Sequence, residues 1–247
     1  MTEECGFLEC PDGEQLAWRR VEGTGPTILW MGGFKSDMSG AKAQALADWA
    51  ITKGRNSLRF DYLGHGESSG EFISGTISRW REDSLAVIDE LTSGPLVLVG
   101  SSMGGWLACL VALARRSRVQ AMVLIAPAAD FTAKLMAPEM TDIDRAALAE
   151  TGIWMRPSDY GDPYPISRVL LEDGATRSIL PGPVLINVPV RILQGQRDPD
   201  VPWEHALSLA RAMTSEDVLF TLIKDGDHRL SRPQDIARII AAVEEVA

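Results

Sequence analysis

The chain has 247 residues, of which 45% are apolar, 23% charged and 6% aromatic, enough for one sizeable α/β or β domain with a real core, or two small domains at most. A formal charge of −10 disfavours a nucleic-acid partner, because an acidic surface repels phosphate backbones. Three cysteines, Cys5, Cys10 and Cys109, cannot build a disulfide framework, and no stretch approaches the roughly 20 apolar residues of a membrane span. The N-terminal residues Met1–Cys5 are acidic and lack a basic-then-apolar signal, so with free thiols the expected location is the cytoplasm.

In chain order, residues Gly6 to Val21 read as a β-hairpin turning at Pro11-Asp12-Gly13. Thr27 to Met31 is a strand ended by Gly32-Gly33, and Ser39 to Lys53 has helical spacing with Gly54 as its stop. Ser57 to Tyr62 is the next strand, and Ile77 to Leu91 an amphipathic helix. Leu96 to Val99 is a fully apolar strand followed by a helix from Met103 to Arg115, and Val119 to Ala126 is a further strand. Strands at Val190–Leu193 and Val218–Ile223 are each followed by a helix, at Trp203–Met213 and Pro233–Val246. Apolar strands without alternation, separated by helices, imply a mostly parallel central sheet flanked by helices. Residues 131–187 break this rhythm, and a structureless loop that long is improbable, so they read as an inserted helical cap (lid) with helices near Asp142–Glu150 and Ile166–Glu172. Residues 1–130 and 188–247 then form the core.

Two stretches match G-x-S-x-G, centred on Ser102 and on Ser68. A nucleophile elbow needs a buried strand running in and a helix running out. Ser102 has both, whereas Ser68 lies between a loop and a further Gly-Ser stretch and reads as a loop hydroxyl. A serine needs a base oriented by an acid, and in this chain order the acid precedes the histidine. Of the three histidines only His205 and His228 follow Ser102; His228 sits in a glycine-containing loop after the last strand, while His205 opens a helix. Asp198, in Gly195 to Pro202, is preferred over Asp200 as the acid. The backbone N–H of Met103 is one expected oxyanion donor, and that of Phe34 in Gly32-Gly33-Phe34 the second, with Gly33 the near alternative.

These motifs, together with Asp61-Tyr62-Leu63-Gly64-His65-Gly66-Glu67-Ser68, resemble the α/β-hydrolase superfamily over nearly the whole chain. Arg59 to Tyr62, Gly100 to Trp106, Asp227-His228-Arg229, Trp80 to Asp83 and Val201-Pro202-Trp203 are similar to one subgroup, the mitochondrial palmitoyl-protein thioesterase family also described as acyl-glucuronide esterases. The resemblance implies the α/β-hydrolase fold and hydrolysis of esters or thioesters through an acyl-serine without a cofactor, with Ser102, Asp198 and His228 as nucleophile, acid and base. The histidines and cysteines show no metal-ligand spacing and no nucleotide-binding glycine motif is present, so the expected partner is a small-molecule or acylated substrate. A peptidase or C–C bond hydrolase on the same triad, and a non-catalytic ligand-binding protein of this fold, are the alternatives. Leu135, Met136, Met140, Ile153, Trp154 and Met155 offer an acyl-chain pocket or simply the packing of the cap.

Overall fold

A computed structural model describes residues 2–157 and 163–247, so part of the expected cap, 158–162, lies outside the described residues. The hairpin of β1 (Glu3–Glu9) and β2 (Gln15–Val21) is antiparallel, and its turn closes through Gly13 at φ +85°. Next come β3 (Thr24–Met31), α1 (Ala41–Lys53), β4 (Arg55–Phe60), α2 (Ile77–Leu91), β5 (Leu96–Ser101), α3 (Met103–Ala114) and β6 (Val119–Ile125). The insertion that follows holds a π-helical turn (Thr132–Met136), the single turn α4 (Ala137–Glu139), α5 (Asp142–Thr151), β7 (Ile153–Arg156), β8 (Tyr164–Ser167) and α6 (Arg168–Thr176). The chain ends with β9 (Val190–Gly195), α7 (Trp203–Ala212), β10 (Val218–Ile223) and α8 (Pro233–Val246).

Eight strands form one sheet in the order β1-β2-β4-β3-β5-β6-β9-β10, parallel from β4 onward. The missing alternation in β5 follows from burial on both faces. Leu96 and Leu98 enter a core layer with Trp80, Trp106 and Leu107 from α2 and α3, while Val97 and Val99 enter another with Leu46 of α1 and Ile239 and Val243 of α8. Burying residues of this size contributes on the order of 2 kcal/mol each before entropy is counted.

Element boundaries depart from the pattern where side chains compete for the backbone. β4 stops at Phe60 because the chain leaves the sheet at Asp61, whose carboxylate accepts from Met38 N at 2.7 Å and Glu67 N at 2.9 Å. α1 starts two residues later than Ser39, whose N–H is taken by Asp37 Oδ1 at 2.7 Å. The helix expected from Ile166 begins at Arg168, capped by Ser167 Oγ accepting from Leu170 N at 3.1 Å. Pro165 holds the residues before it extended, and Ile166 pairs with Trp154 in the β7–β8 ribbon, which helical periodicity does not reveal.

The two ends of the insertion meet. Buried Asp130 accepts from Ser178 Oγ at 2.5 Å, Ile179 N at 2.9 Å and Leu180 N at 2.9 Å, so one carboxylate ties the way in to the way out. Beyond that tie the chain is already part of the body, since Val184 forms a parallel bridge with Met213. Asp173 of α6 binds Ser78 N at 2.8 Å and holds the insertion to the start of α2.

Candidate active site

Parallel α/β sheets gather ligands beyond the carboxyl ends of their strands. Here the loops after β3, β4, β5, β6, β9 and β10 all open on that edge. At the end of β5 the backbone turns sharply at Ser102, with φ 54° and ψ −118°, a conformation that costs on the order of 1–3 kcal/mol in a non-glycine residue. Close packing holds the turn: a Cβ on Gly104 would lie 2.1 Å from Met31 O, and one on Gly100 2.3 Å from Gly104 O. Ser102 N donates to Ile125 O at 2.9 Å, and Ser102 O accepts from Ala128 N at 3.1 Å. The hydroxyl is thereby lifted into the cleft.

Ser102 Oγ donates to His228 Nε2 at 3.1 Å, and His228 Nδ1–H donates to Asp198 Oδ2 at 2.8 Å. The structure therefore brings Ser102, His228 and Asp198 into one line from three separate loops. Asp198 is buried, and its other oxygen accepts from Asp200 N at 2.9 Å and Val201 N at 2.8 Å, which fixes the plane of the carboxylate. Among the described residues, Asp198, Asp200 and His228 form one cluster of potential metal-binding groups, but the His228 nitrogen that faces Asp198 already carries the shared proton.

The N–H of Met103 opens α3, where no carbonyl of its own helix can reach it. Phe34 sits in the turn after β3, beside Gly33, where an added Cβ would lie 3.4 Å from Ser102 Cβ. That turn is clamped from below: Lys35 N donates to His65 Nε2 at 3.2 Å, and buried Arg59 donates to Met38 O at 2.7 Å while Glu3 holds its far side at 2.7 Å. His65 Nδ1–H completes its pair of bonds on Leu63 O at 3.1 Å, and burial pushes its pKa below the usual imidazole value.

The remaining candidates have local partners. Ser68 Oγ donates to Asp61 O at 2.6 Å and receives Ala17 N at 2.9 Å, a loop hydroxyl as expected. His205 Nε2–H donates to Ala129 O at 2.7 Å, which leaves it less exposed than a helix-start residue suggests. Asp227 accepts from Leu230 N at 2.9 Å and Asp225 pairs with Arg232 at 2.8 Å, so both shape the loop of His228. Lys42 is a site residue that motif reading passes over. Its Nζ donates to Arg229 O beside His228, and burial with the nearby Arg229 charge lowers it to about 8.

Around these groups lies a cavity of about 940 Å³. Phe34, Phe131, Leu135, Met136 and Tyr164 contribute apolar lining, and Lys35, Asp37, Lys42 and Arg229 contribute charged lining, with Lys35 Nζ 4.8 Å over the Tyr164 ring. Of the expected acyl-pocket residues, Leu135 and Met136 line the cavity; Met140 and Trp154 are buried in the core cluster, and Ile153 and Met155 are exposed.

The fold is that of an α/β-hydrolase. A hydrolase family model described as "Serine aminopeptidase, S33" matches residues 27–171. The mitochondrial palmitoyl-protein thioesterase ABHD10 of Homo sapiens is 34% identical over 242 residues, covering 97% of this chain and 79% of that protein. A putative hydrolase from Agrobacterium vitis S4 superimposes with a TM-score of 0.96 at 43% identity, covering 100% of this chain and 99% of that one. The mouse α/β-hydrolase domain-containing protein 10 gives a TM-score of 0.90 at 34% identity, covering 98% of this chain and 97% of that one. The chain belongs to this family of α/β-hydrolases and is a hydrolase. Among the described residues no helix is long and apolar enough to cross a membrane.

Proposed function

We propose that the chain is a serine esterase or thioesterase that cleaves acyl bonds through an acyl-serine intermediate. The observation that carries this reading is the line Asp198–His228–Ser102, with successive contacts of 2.8 and 3.1 Å. In this mechanism Ser102 Oγ attacks the acyl carbonyl as His228 Nε2 takes its proton. Asp198 holds the imidazole in the correct tautomer and stabilises the cation. The Met103 and Phe34 N–H groups receive the oxyanion, each worth roughly 100- to 1,000-fold in rate. His228 then returns the proton to the leaving oxygen or sulfur, and water, activated by the same imidazole, releases the acid.

Of residues 131–187, the stretch 131–180 acts as the cap, its roof held at the Asp130 tie, and the apolar lining of the cavity takes the acyl chain. The named activity of the ABHD10 relatives, palmitoyl-protein thioesterase, agrees with an acyl substrate. The flexible thioether of Met136 suits a variable chain. A cytoplasmic location rests on three unpaired cysteines, which a reducing compartment maintains.

Labelling with a fluorophosphonate tests the nucleophile. The folded wild type should be labelled and Ser102→Ala should not, with hydrolysis of p-nitrophenyl esters falling by at least about 1,000-fold. An unlabelled folded wild type would overturn the assignment. With acyl-CoA thioesters of rising length, kcat/KM should climb as the chain fills the cavity, and a flat response would remove the acyl-pocket reading.

A further inference from the structure

Gln194 is the penultimate residue of β9, wholly buried, and its side chain points toward the acid loop rather than into either core layer. Its Nε2 lies 3.0 Å from Asp198 Oδ2, 3.0 Å from Val201 O and 3.2 Å from Gly195 O. Three acceptors around one atom fix the amide orientation: rotating it would set oxygen against oxygen at all three contacts. In this orientation Oε1 is buried without a hydrogen-bond partner among the described residues. Leaving a buried carbonyl unsatisfied costs free energy, which an aliphatic side chain on this strand would not incur. What the amide supplies in return is a donor on the same oxygen, Oδ2, that receives His228 Nδ1–H.

We infer that Gln194 is a positioning residue for the acyl-transfer reaction, setting both the place and the charge of Asp198. One amide N–H closes the 196–201 loop onto β9 by donating to Val201 O, and the other donates to Asp198 Oδ2 and takes up part of the carboxylate's charge that would otherwise fall on the imidazole. This rests on the triad reading of the preceding section. With the amide donor gone, Oδ2 accepts more strongly from His228 Nδ1–H, and the acid limb of kcat/KM, which reports the Ser102–His228–Asp198 line as a whole, moves to higher pH. The other charged groups lining the same cavity are Lys35 and Asp37 from the turn after β3, Lys42 from α1, Arg156 from β7, Asp200 from the acid loop, and Asp227, Arg229 and Arg232 from the loop of His228. None of these changes in the substitution.

The test is the pH dependence of kcat/KM, read together with the pH dependence of fluorophosphonate labelling, for wild type, Gln194→Met and Asp198→Asn. Gln194→Met keeps the length and removes the donor. Its acid limb should move to higher pH by about half a unit or more, with kcat lowered about 10-fold and KM within about 2-fold of wild type. A folded Gln194→Met whose acid limb stays in place overturns the inference, however much rate is lost. Gln194→Leu, which also lacks the donor, serves if the methionine variant does not fold; its limb should move in the same direction, and an unmoved limb again overturns the inference. Asp198→Asn separates the two readings: if it keeps wild-type rates, the triad itself fails, whereas a crippled Asp198→Asn beside an unshifted Gln194→Met sinks the role of Gln194 alone.

Discussion

The imidazole of His65 is committed at both nitrogens, donating from Nδ1 to Leu63 O and accepting Lys35 N–H at Nε2. It therefore cannot serve as a base without releasing the turn that carries Phe34. A proton on Nε2 would set N–H against N–H, so the folded state holds this residue neutral. Its folded pKa lies below the ordinary 6.5 and the unfolded chain binds the extra proton more readily. The associated stability is thus fully present above about pH 6.5 and is lost as pH falls through the lower folded value. Urea denaturation of His65→Gln between pH 7.5 and 5 should show a shallower acid-side loss than wild type, by up to about 1.4 kcal/mol per pH unit. Half-buried His205, also shifted down by burial, keeps its share of the slope in both proteins.

At the scale of elements, the β5–α3 junction and the turn after β3 are built against each other. Gly104 sits so near Met31 and Gly32 that a methyl group would require the backbone itself to move. Gly104→Ala should cost about 3 kcal/mol or more in thermal or chemical denaturation, along with esterase activity. Gly182, around which an added Cβ meets nothing within 4 Å, gives the control, with a change within about 0.5 kcal/mol. The strand–serine–helix junction was legible because its cause is local: an apolar strand, glycines at fixed offsets and a helix. The clamps beneath it were not. Arg59 reaches Glu3 across 56 positions and Asp61 reaches Met38 across 23, and no periodicity encodes such distances.

Across the whole molecule, the sheet was readable as runs of apolar residues because both of its faces are covered. Outside the insertion only boundaries shift, as at β4 and α1, whereas the β7–β8 ribbon, and with it the start of α6, lies in the insertion, where short segments carry too few residues for a period to emerge. The strand before and the helix after point to Ser102, and chain order with loop position points to Asp198 and His228. Gln194 and Lys42 escaped notice because each acts through a neighbour's backbone or carboxylate, and a lone buried glutamine or a helical lysine carries no motif.

The Asp130 tie has a consequence for how the molecule opens. A roof whose chain enters and leaves at adjoining points, and which is otherwise held through Asp173 and Arg177 to Ser78 at the start of α2, can loosen as a unit without disturbing the sheet below. Breaking the tie with Asp130→Ala should therefore accelerate amide hydrogen exchange through residues 131–180 by roughly 10-fold or more, while β5, β6 and β9 retain their protection. Equal acceleration in roof and sheet would mean that they unfold together. The same closeness of ends makes the roof exchangeable in the engineer's sense: a transplanted segment need only start and finish where Asp130 and Leu180 already meet.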